Sequence, residues 1–353
     1  MTIELKNVTK HIGAEVHIYD TSIRFAETGF NVLLGETRAG KTTLIKLIAG
    51  LERPTSGEIW IKDRNVTGLS PQKRNVSLVH QFFVNYPNMT VFENIASPLR
   101  VAGVGKKERQ RRVEEAAELM RLTPMLKRRP SELSGGQQQR TALARAIVKD
   151  SDVVLFDEPL ANLDYKLREE LRDELPRLLA GRGAIVVYAT SEPHEGLLLG
   201  GHTAAMKDGR ITQFGETSTV FRKPNDLDTA RVFSDPPINA ASVTKLGSEI
   251  RLDGSRWSAP SSLASAPDGE YTLGLHPHIV TPVRESADAV QVQGKIVVTE
   301  LSGFESIAHF RRGNEDWVSQ AQGVHAFEVG ETHDFYFDPS RGLYFGADGR
   351  LVA

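Results

Sequence analysis

The chain has 353 residues, which at about 150 residues per domain sets an expectation of two domains. Its 43 Lys and Arg nearly balance 45 Asp and Glu, leaving a net charge of −2; nucleic-acid binders carry a basic excess, so no nucleic-acid partner is expected. There is no Cys, which excludes disulfides, thiolate nucleophiles, Cys-ligated zinc and iron–sulfur clusters.

The N-terminal stretch MTIELKNVTKHIGAEVHIYD alternates polar and apolar residues. It lacks the basic start and apolar block of a signal peptide. No segment approaches the ~18 consecutive apolar residues of a membrane span, so a membrane is expected to be met only through another protein. Within 1–33, ELKNV, VHIYD and FNVLL read as strands. A glycine-bearing turn at 35–40 leads into the helix KTTLIKLIAGL, with Leu44, Leu47, Ile48 and Leu51 at helical spacing. Strand, turn and helix in this order predict an α/β domain with a parallel sheet. Residues 106–122 predict an exposed amphipathic helix with Val113, Ala116, Ala117 and Met120 as its apolar stripe. VVLF at 153–156 and AIVVYAT at 184–190 read as buried parallel strands, and a helix is predicted over 166–180. The proline pair in FSDPPIN, 233–239, sets a domain boundary at 235/236. Beyond it helical periodicity gives way to short β-type runs, among them YTLGLH, AVQVQGKIVVTEL, SIAHFRR and DFYFD. Residues 236–353 therefore predict a small all-β domain of barrel type.

Three motifs carry chemistry. GETRAGKT at 35–42 fits G-x-x-x-x-G-K-[ST] directly after a strand and at the opening of a helix. Backbone amides of Gly35, Glu36, Thr37, Arg38, Ala39 and Gly40 are expected to approach a polyphosphate, aided by the helix N-terminus. Lys41 would neutralise β/γ-phosphates, Thr42 would ligate Mg²⁺ and Thr43 would reach the α-phosphate. VVLFDEP at 153–159 delivers Asp157 to a strand tip as a second Mg²⁺ ligand, direct or through water, with Glu158 as general base. LSGGQQQR at 133–140 places Ser134, Gly135, Gly136 and Gln137 at a second helix start suited to an anion, although Ser134 also fits as a simple cap of its own helix.

GETRAGKT, LSGGQ and VVLFDEP in this order resemble the ATPase subunit of an ABC transporter. HQFFVNYPNMTVFENIASPL at 80–99 resembles the Q-loop region of ABC importers, with Gln81 as its glutamine. LANLD at 160–164 is similar to the D-loop, and KDGRITQFG at 207–215 to the strand pair closing the nucleotide domain. FSDPPIN, YTLGLHPHIV, VVTELSGFESIAHF and FYFDPSRGLYFGADGRLV resemble the junction and OB-like (TOBE) domain of sugar-importer ATPases.

The resemblance implies a P-loop α/β nucleotide-binding domain over 1–235 and an OB-like domain over 236–353. It implies ATP and Mg²⁺ as ligands, Gln81 as both a metal and a catalytic residue, and a head-to-tail dimer in which Ser134–Gln137 act on the partner's ATP. It implies transmembrane permease subunits that contact the Q-loop region through Phe82, Phe83, Tyr86 and Met89, for which core packing is the other reading. A solute-binding protein would be an indirect partner. The expected location is the cytoplasmic face of the cell membrane, held there by the permease. NVLLGETRAGKTTLIKLIAGLERP and YATSEPHEGLLLGGHTAAM resemble a sub-branch tied to glycerol or polyol uptake, whose systems carry two different ATPase chains.

The sequence also departs from the family pattern. The family's switch His falls at Ser191, and His194, beyond Pro193, does not take its role. Losing one transition-state contact commonly costs ~10²–10³ in rate. An asymmetric ATPase heterodimer is therefore preferred; the alternative is a homodimer in which Ser191, another group or water substitutes. A nucleotide-dependent dimerisation subunit with little hydrolysis is the competing function. Glu36 stands where Pro is usual and Arg38 where a small residue is usual, with Arg38 as the nearest partner for the carboxylate. His11 and Ile12 are the nearest candidates to stack on adenine, while Tyr19 reads as a core residue. His276 and His278 read as structural or solvent-facing, and the C-terminal domain is expected to serve dimer contacts or regulation.

Overall fold

A computed structural model describes residues 2–27, 29–161, 163–179 and 183–353. Asn162 of LANLD and Ala180 of the predicted 166–180 helix lie outside them. The described chain divides into two units, Met1–Ser218 and Thr219–Ala353.

In the first unit the strands Phe30–Leu34, Val153–Asp157 and Ile185–Thr190 are buried at every residue. Burial along the whole of these mostly apolar strands suits a sheet covered on both faces. They form the centre of a six-stranded sheet in the order Arg210–Glu216, His202–Lys207, Phe30–Leu34, Ile185–Thr190, Val153–Asp157, Val76–Val79. Only the Arg210–Glu216 edge is antiparallel. A second, antiparallel sheet is built from Glu15–Arg24, Ile3–Ile12, Ser56–Ile61 and Arg64–Asn65. The helix Lys41–Ala49 buries Leu44, Leu47 and Ile48 in a core shared with Leu5, Val8 and Ile59 of the second sheet and Leu33, Leu155 and Val187 of the first. The predicted helices of this unit appear as Lys106–Leu119 and Tyr165–Leu179.

Parallel registry fixes the site. Leu34 pairs with Thr190, Asp157 with Ala189 and Val79 with Phe156. The chain segments beginning at Gly35, Glu158, Ser191 and His80 therefore leave the sheet along one edge, where open α/β sheets place their ligands.

The second unit holds two antiparallel sheets. One has the order Ser255–Ser258, Glu249–Leu252, Asn239–Leu246, Gly269–Leu275, Leu343–Phe345; the other has Glu315–Gln322, Glu305–Arg312, Val290–Leu301, Thr332–Phe337. Their inner faces share one core, in which Phe310 stacks on Phe335 with ring centres 4.0 Å apart and Trp257 meets Phe337 edge-on. Asn239 staples the sheets by donating to the Val318 carbonyl at 2.8 Å and accepting its N–H at 2.6 Å. This is the all-β, barrel-like region anticipated from the strand pattern.

Residues 225–230, ahead of the proline pair, pack within the second unit: Leu227 donates to Gly349, Leu351 donates to Asn225, and Ala230 shares a small core with Ile238 and Phe345. The prolines interrupt regular structure without interrupting contact.

His276 is structural. It is 8% exposed and stacks between Phe221 and His278, at 5.0 and 5.6 Å. Burial, and then the neighbouring His278, push its pKa down from 6.5 to about 4. The unfolded chain thus binds a proton that the folded chain refuses between pH 6.5 and 4. Stability is full above that window and falls as pH drops through it, by about 3 kcal/mol at its lower end. Urea unfolding followed by tryptophan fluorescence, with Trp257 and Trp317 in this unit, is expected to show that loss. His276→Phe is expected to flatten most of the slope, and an unaltered slope would refute the assignment.

Candidate functional site

The loop from Gly35 to Gly40 turns between the strand Phe30–Leu34 and the helix Lys41–Ala49. Two glycines make it possible. A Cβ at Gly35 would sit 2.3 Å from the Met206 carbonyl oxygen, and Gly40 has φ 103°, where a side chain is strained. Arg38 accepts a positive φ of 73° without being glycine. Such strain is retained where the surroundings enforce it, often at functional loops. Glu36 and Arg38 are both exposed, and no ion pair between them appears among the described residues.

Lys41 is 4% exposed and folds back over this loop. Its Nζ donates to the carbonyls of Gly35 at 2.7 Å and Glu36 at 3.0 Å, and lies 3.3 Å from Glu158 Oε1. Burial holds its pKa below the usual lysine value, opposed by the Glu158 charge. Glu158 reaches it because φ of 46° turns the chain sharply at the strand tip. The other Glu158 oxygen, Oε2, accepts from Gln81 Nε2 at 3.1 Å.

Thr42 Oγ1 donates to Asp157 Oδ1 at 2.9 Å. Asp157 is 1% exposed, and burial raises its pKa against the Thr42 bond. Its Oδ2 is buried with no hydrogen-bond partner among the described residues. A buried carboxylate oxygen left unpaired beside a threonine hydroxyl is the donor set that a hard divalent cation satisfies.

Gly40, Lys41, Thr42, Thr43, Thr37, Arg38, Gln81 and Glu158 line one cleft of about 780 Å³. Ser134–Gln137 are not in its lining. They open the helix Gly135–Ile147 as a capping box, with Ser134 Oγ accepting from Gln137 N–H and Gln137 Oε1 accepting from Ser134 N–H. Ser191 follows the strand Ile185–Thr190, half-buried, and its hydroxyl has no hydrogen-bond partner among the described residues. Asn94, fully buried, pins the segment after Gln81 by donating to the carbonyls of Tyr86 and Met89 and accepting from Tyr86 N–H. Phe82, Val84 and Tyr86 stay exposed, at 73%, 67% and 48%, so Phe82 and Tyr86 are not core residues.

A family model described as ABC transporter matches residues 19–161. The sn-glycerol-3-phosphate import ATP-binding protein UgpC of Yersinia pestis is 34% identical, over 99% of this chain and 98% of the relative. UgpC of Rhizobium meliloti is 37% identical, over 99% of each chain. A solved dimeric structure of the ATP-binding cassette MJ0796, bound to ADP and Pi, superposes with TM-score 0.57 at 29% identity, covering 61% of this chain and 98% of that one. The chain belongs to the ABC transporter family.

Within that family the cleft has a wall that sequence reasoning missed. Glu15, Val16, His17 and Tyr19 line it together with Asp208 and Gly209. Tyr19 is 36% exposed, not a core residue, and Arg210 lies over its ring at 3.6 Å. The neighbouring Ile18 is the buried one. Period-two alternation in the strand Glu15–Arg24 was the available signal, because it puts His17 and Tyr19 on the face opposite Ile18. His11 and Ile12 are not among the lining residues.

Proposed function

We infer that this chain is the ATP-binding subunit of an ABC importer, coupling ATP binding and hydrolysis to solute uptake. The observation that carries the reading is the buried Lys41 beside the Thr42–Asp157 pair with its unpartnered Oδ2, at the sheet edge where Glu158 and Gln81 also meet. The loop amides and Lys41 hold the triphosphate, and Thr43 is assigned to its α-phosphate. Thr42, Asp157 and Gln81 hold Mg²⁺, which when bound neutralises charge on the phosphate oxygens. Glu158 takes the proton of the attacking water, and Gln81 orients the Glu158 carboxylate through its amide.

The capping geometry of Ser134 leaves Gly135 exposed, which suits a signature turned toward a second subunit's nucleotide. ATP then shifts the population toward a closed dimer, since only that form contacts the γ-phosphate from both sides. The exposed Phe82, Val84 and Tyr86 are the surface offered to the permease subunits, which hold the chain at the cytoplasmic face of the membrane. No helix among the described residues is long and apolar enough to cross a membrane itself. The solute is a carbohydrate or polyol; the UgpC relatives import sn-glycerol-3-phosphate. The ATPase module runs over 1–235 and the accessory domain over 236–353.

Ser191 favours the asymmetric heterodimer, in which a second ATPase chain supplies the fully equipped site. A serine cannot span the reach of an imidazole or carry its charge. The purified chain with Mg²⁺ is therefore expected to turn over slowly on its own, and Ser191→His is expected to raise its rate by about 10- to 100-fold. Rapid turnover of the unmodified chain without a partner would refute the heterodimer.

A further inference from the structure

The loops leaving the strands Val153–Asp157 and Ile185–Thr190 are joined by one side chain. Arg168, in the helix Tyr165–Leu179, donates Nη1 to both oxygens of Glu192 at 2.7 and 3.0 Å. Its Nη2 donates to the Ala161 carbonyl at 3.3 Å. Ala161 donates its own N–H to the Glu158 carbonyl at 3.5 Å. On the other side of Ser191, Thr190 is anchored twice. Its carbonyl accepts from Gly35 N–H at 3.4 Å, and its hydroxyl donates to Glu195 at 2.7 Å. Glu195 is 3% exposed and also accepts from Tyr188 at 3.1 Å. Glu192 N–H closes the turn by donating to the Thr190 hydroxyl at 3.0 Å.

Ser191 is therefore bracketed: residue 190 is tied to the phosphate loop, and residue 192 to the segment that carries Glu158. The Arg168–Glu192 pair is partly exposed, with side chains at 24% and 41%, and exposed pairs contribute about 1 kcal/mol or less to stability. Its forked geometry, spanning two loops, is the more consequential property.

We propose that Arg168 is a positioning residue that sets the separation between Ser191 and Glu158 through Glu192 and the Ala161 carbonyl. The proposal rests on the roles assigned above to Glu158 and position 191. A short side chain at 191 makes the backbone placement decisive, because rotation about one bond corrects little.

The test uses the purified full chain with Mg·ATP, with Arg168→Lys and Glu192→Gln made in both the wild-type and the Ser191→His chain. A lysine ammonium reaches Glu192 or the Ala161 carbonyl but does not fork across both. Each substitution is expected to lower kcat about tenfold, and the two together no further than the worse of them. The KM for ATP is expected to stay within about twofold of the parent, and the thermal midpoint to stay where it was. A kcat within about twofold of the parent in both backgrounds overturns the proposal. So does a fall in kcat that follows a fall in thermal midpoint, which marks a purely structural role. Failure of the functional reading looks different: the parent chain itself then shows neither Mg·ATP binding nor Lys41-dependent turnover, and both inferences are withdrawn.

Discussion

Lys41→Ala is expected to abolish Mg·ATP binding measurable by calorimetry and to lower solute accumulation by ~10²–10³-fold in cells. The lysine Nζ is the cation that meets two loop carbonyls and Glu158 in one place. Removing it leaves the Glu158 carboxylate at the cleft without its positive neighbour, so an incoming polyphosphate meets net negative charge. The fold is expected to persist, because the helix Lys41–Ala49 is held by Leu44, Leu47 and Ile48 in the core. Circular dichroism separates the two effects. Unchanged accumulation in the variant would refute the coupling of ATP to uptake by this chain.

Glu158→Gln is expected to behave in the opposite sense toward the nucleotide. The amide is nearly the same shape and still reaches Gln81, but it accepts no proton at neutral pH. Hydrolysis is expected to fall by ~10²–10⁴-fold, the range that positioned acid–base groups supply. Mg·ATP binding is expected to be kept or tightened, since a negative charge is removed from beside Lys41 and the phosphates. Size-exclusion chromatography with ATP then reports an accumulated closed dimer. A variant that loses binding and turnover together would show Glu158 to be a structural partner of Lys41 and not the base.

The parts of the molecule legible in the sequence are those in which local pattern and tertiary environment agree. FNVLL, VVLF and IVVYAT are buried at every residue because both of their faces are covered, and the loop at 35–40 is announced by its glycines and its place between strand and helix. Gln81 and Glu158 were singled out by separate motifs 77 residues apart, and the fold brings their side chains to 3.1 Å. The meeting of His17 and Tyr19 with Asp208 and Gly209 in one wall was not legible. It depends on the strand Glu15–Arg24 approaching the turn at Asp208–Gly209, where Tyr19 N–H donates to the Gly209 carbonyl across 190 residues of sequence. No local pattern encodes that meeting. Asn225 and Leu227 are a related case: they precede the prolines in sequence, yet their backbone partners are Leu351 and Gly349.

The crowding of Gly35 by the Met206 carbonyl bears on how variants of the cradle are to be interpreted. An added methyl there must first push aside the neighbouring strand His202–Lys207, which pairs with Phe30–Leu34. An inactive Gly35→Ala chain would thus diagnose a displaced strand, whatever happens to phosphate affinity. Sequence invariance at such a position, if found in relatives, is explained by steric exclusion alone, and pharmacological or genetic mapping of the anion contact belongs at Lys41 and Thr43 instead.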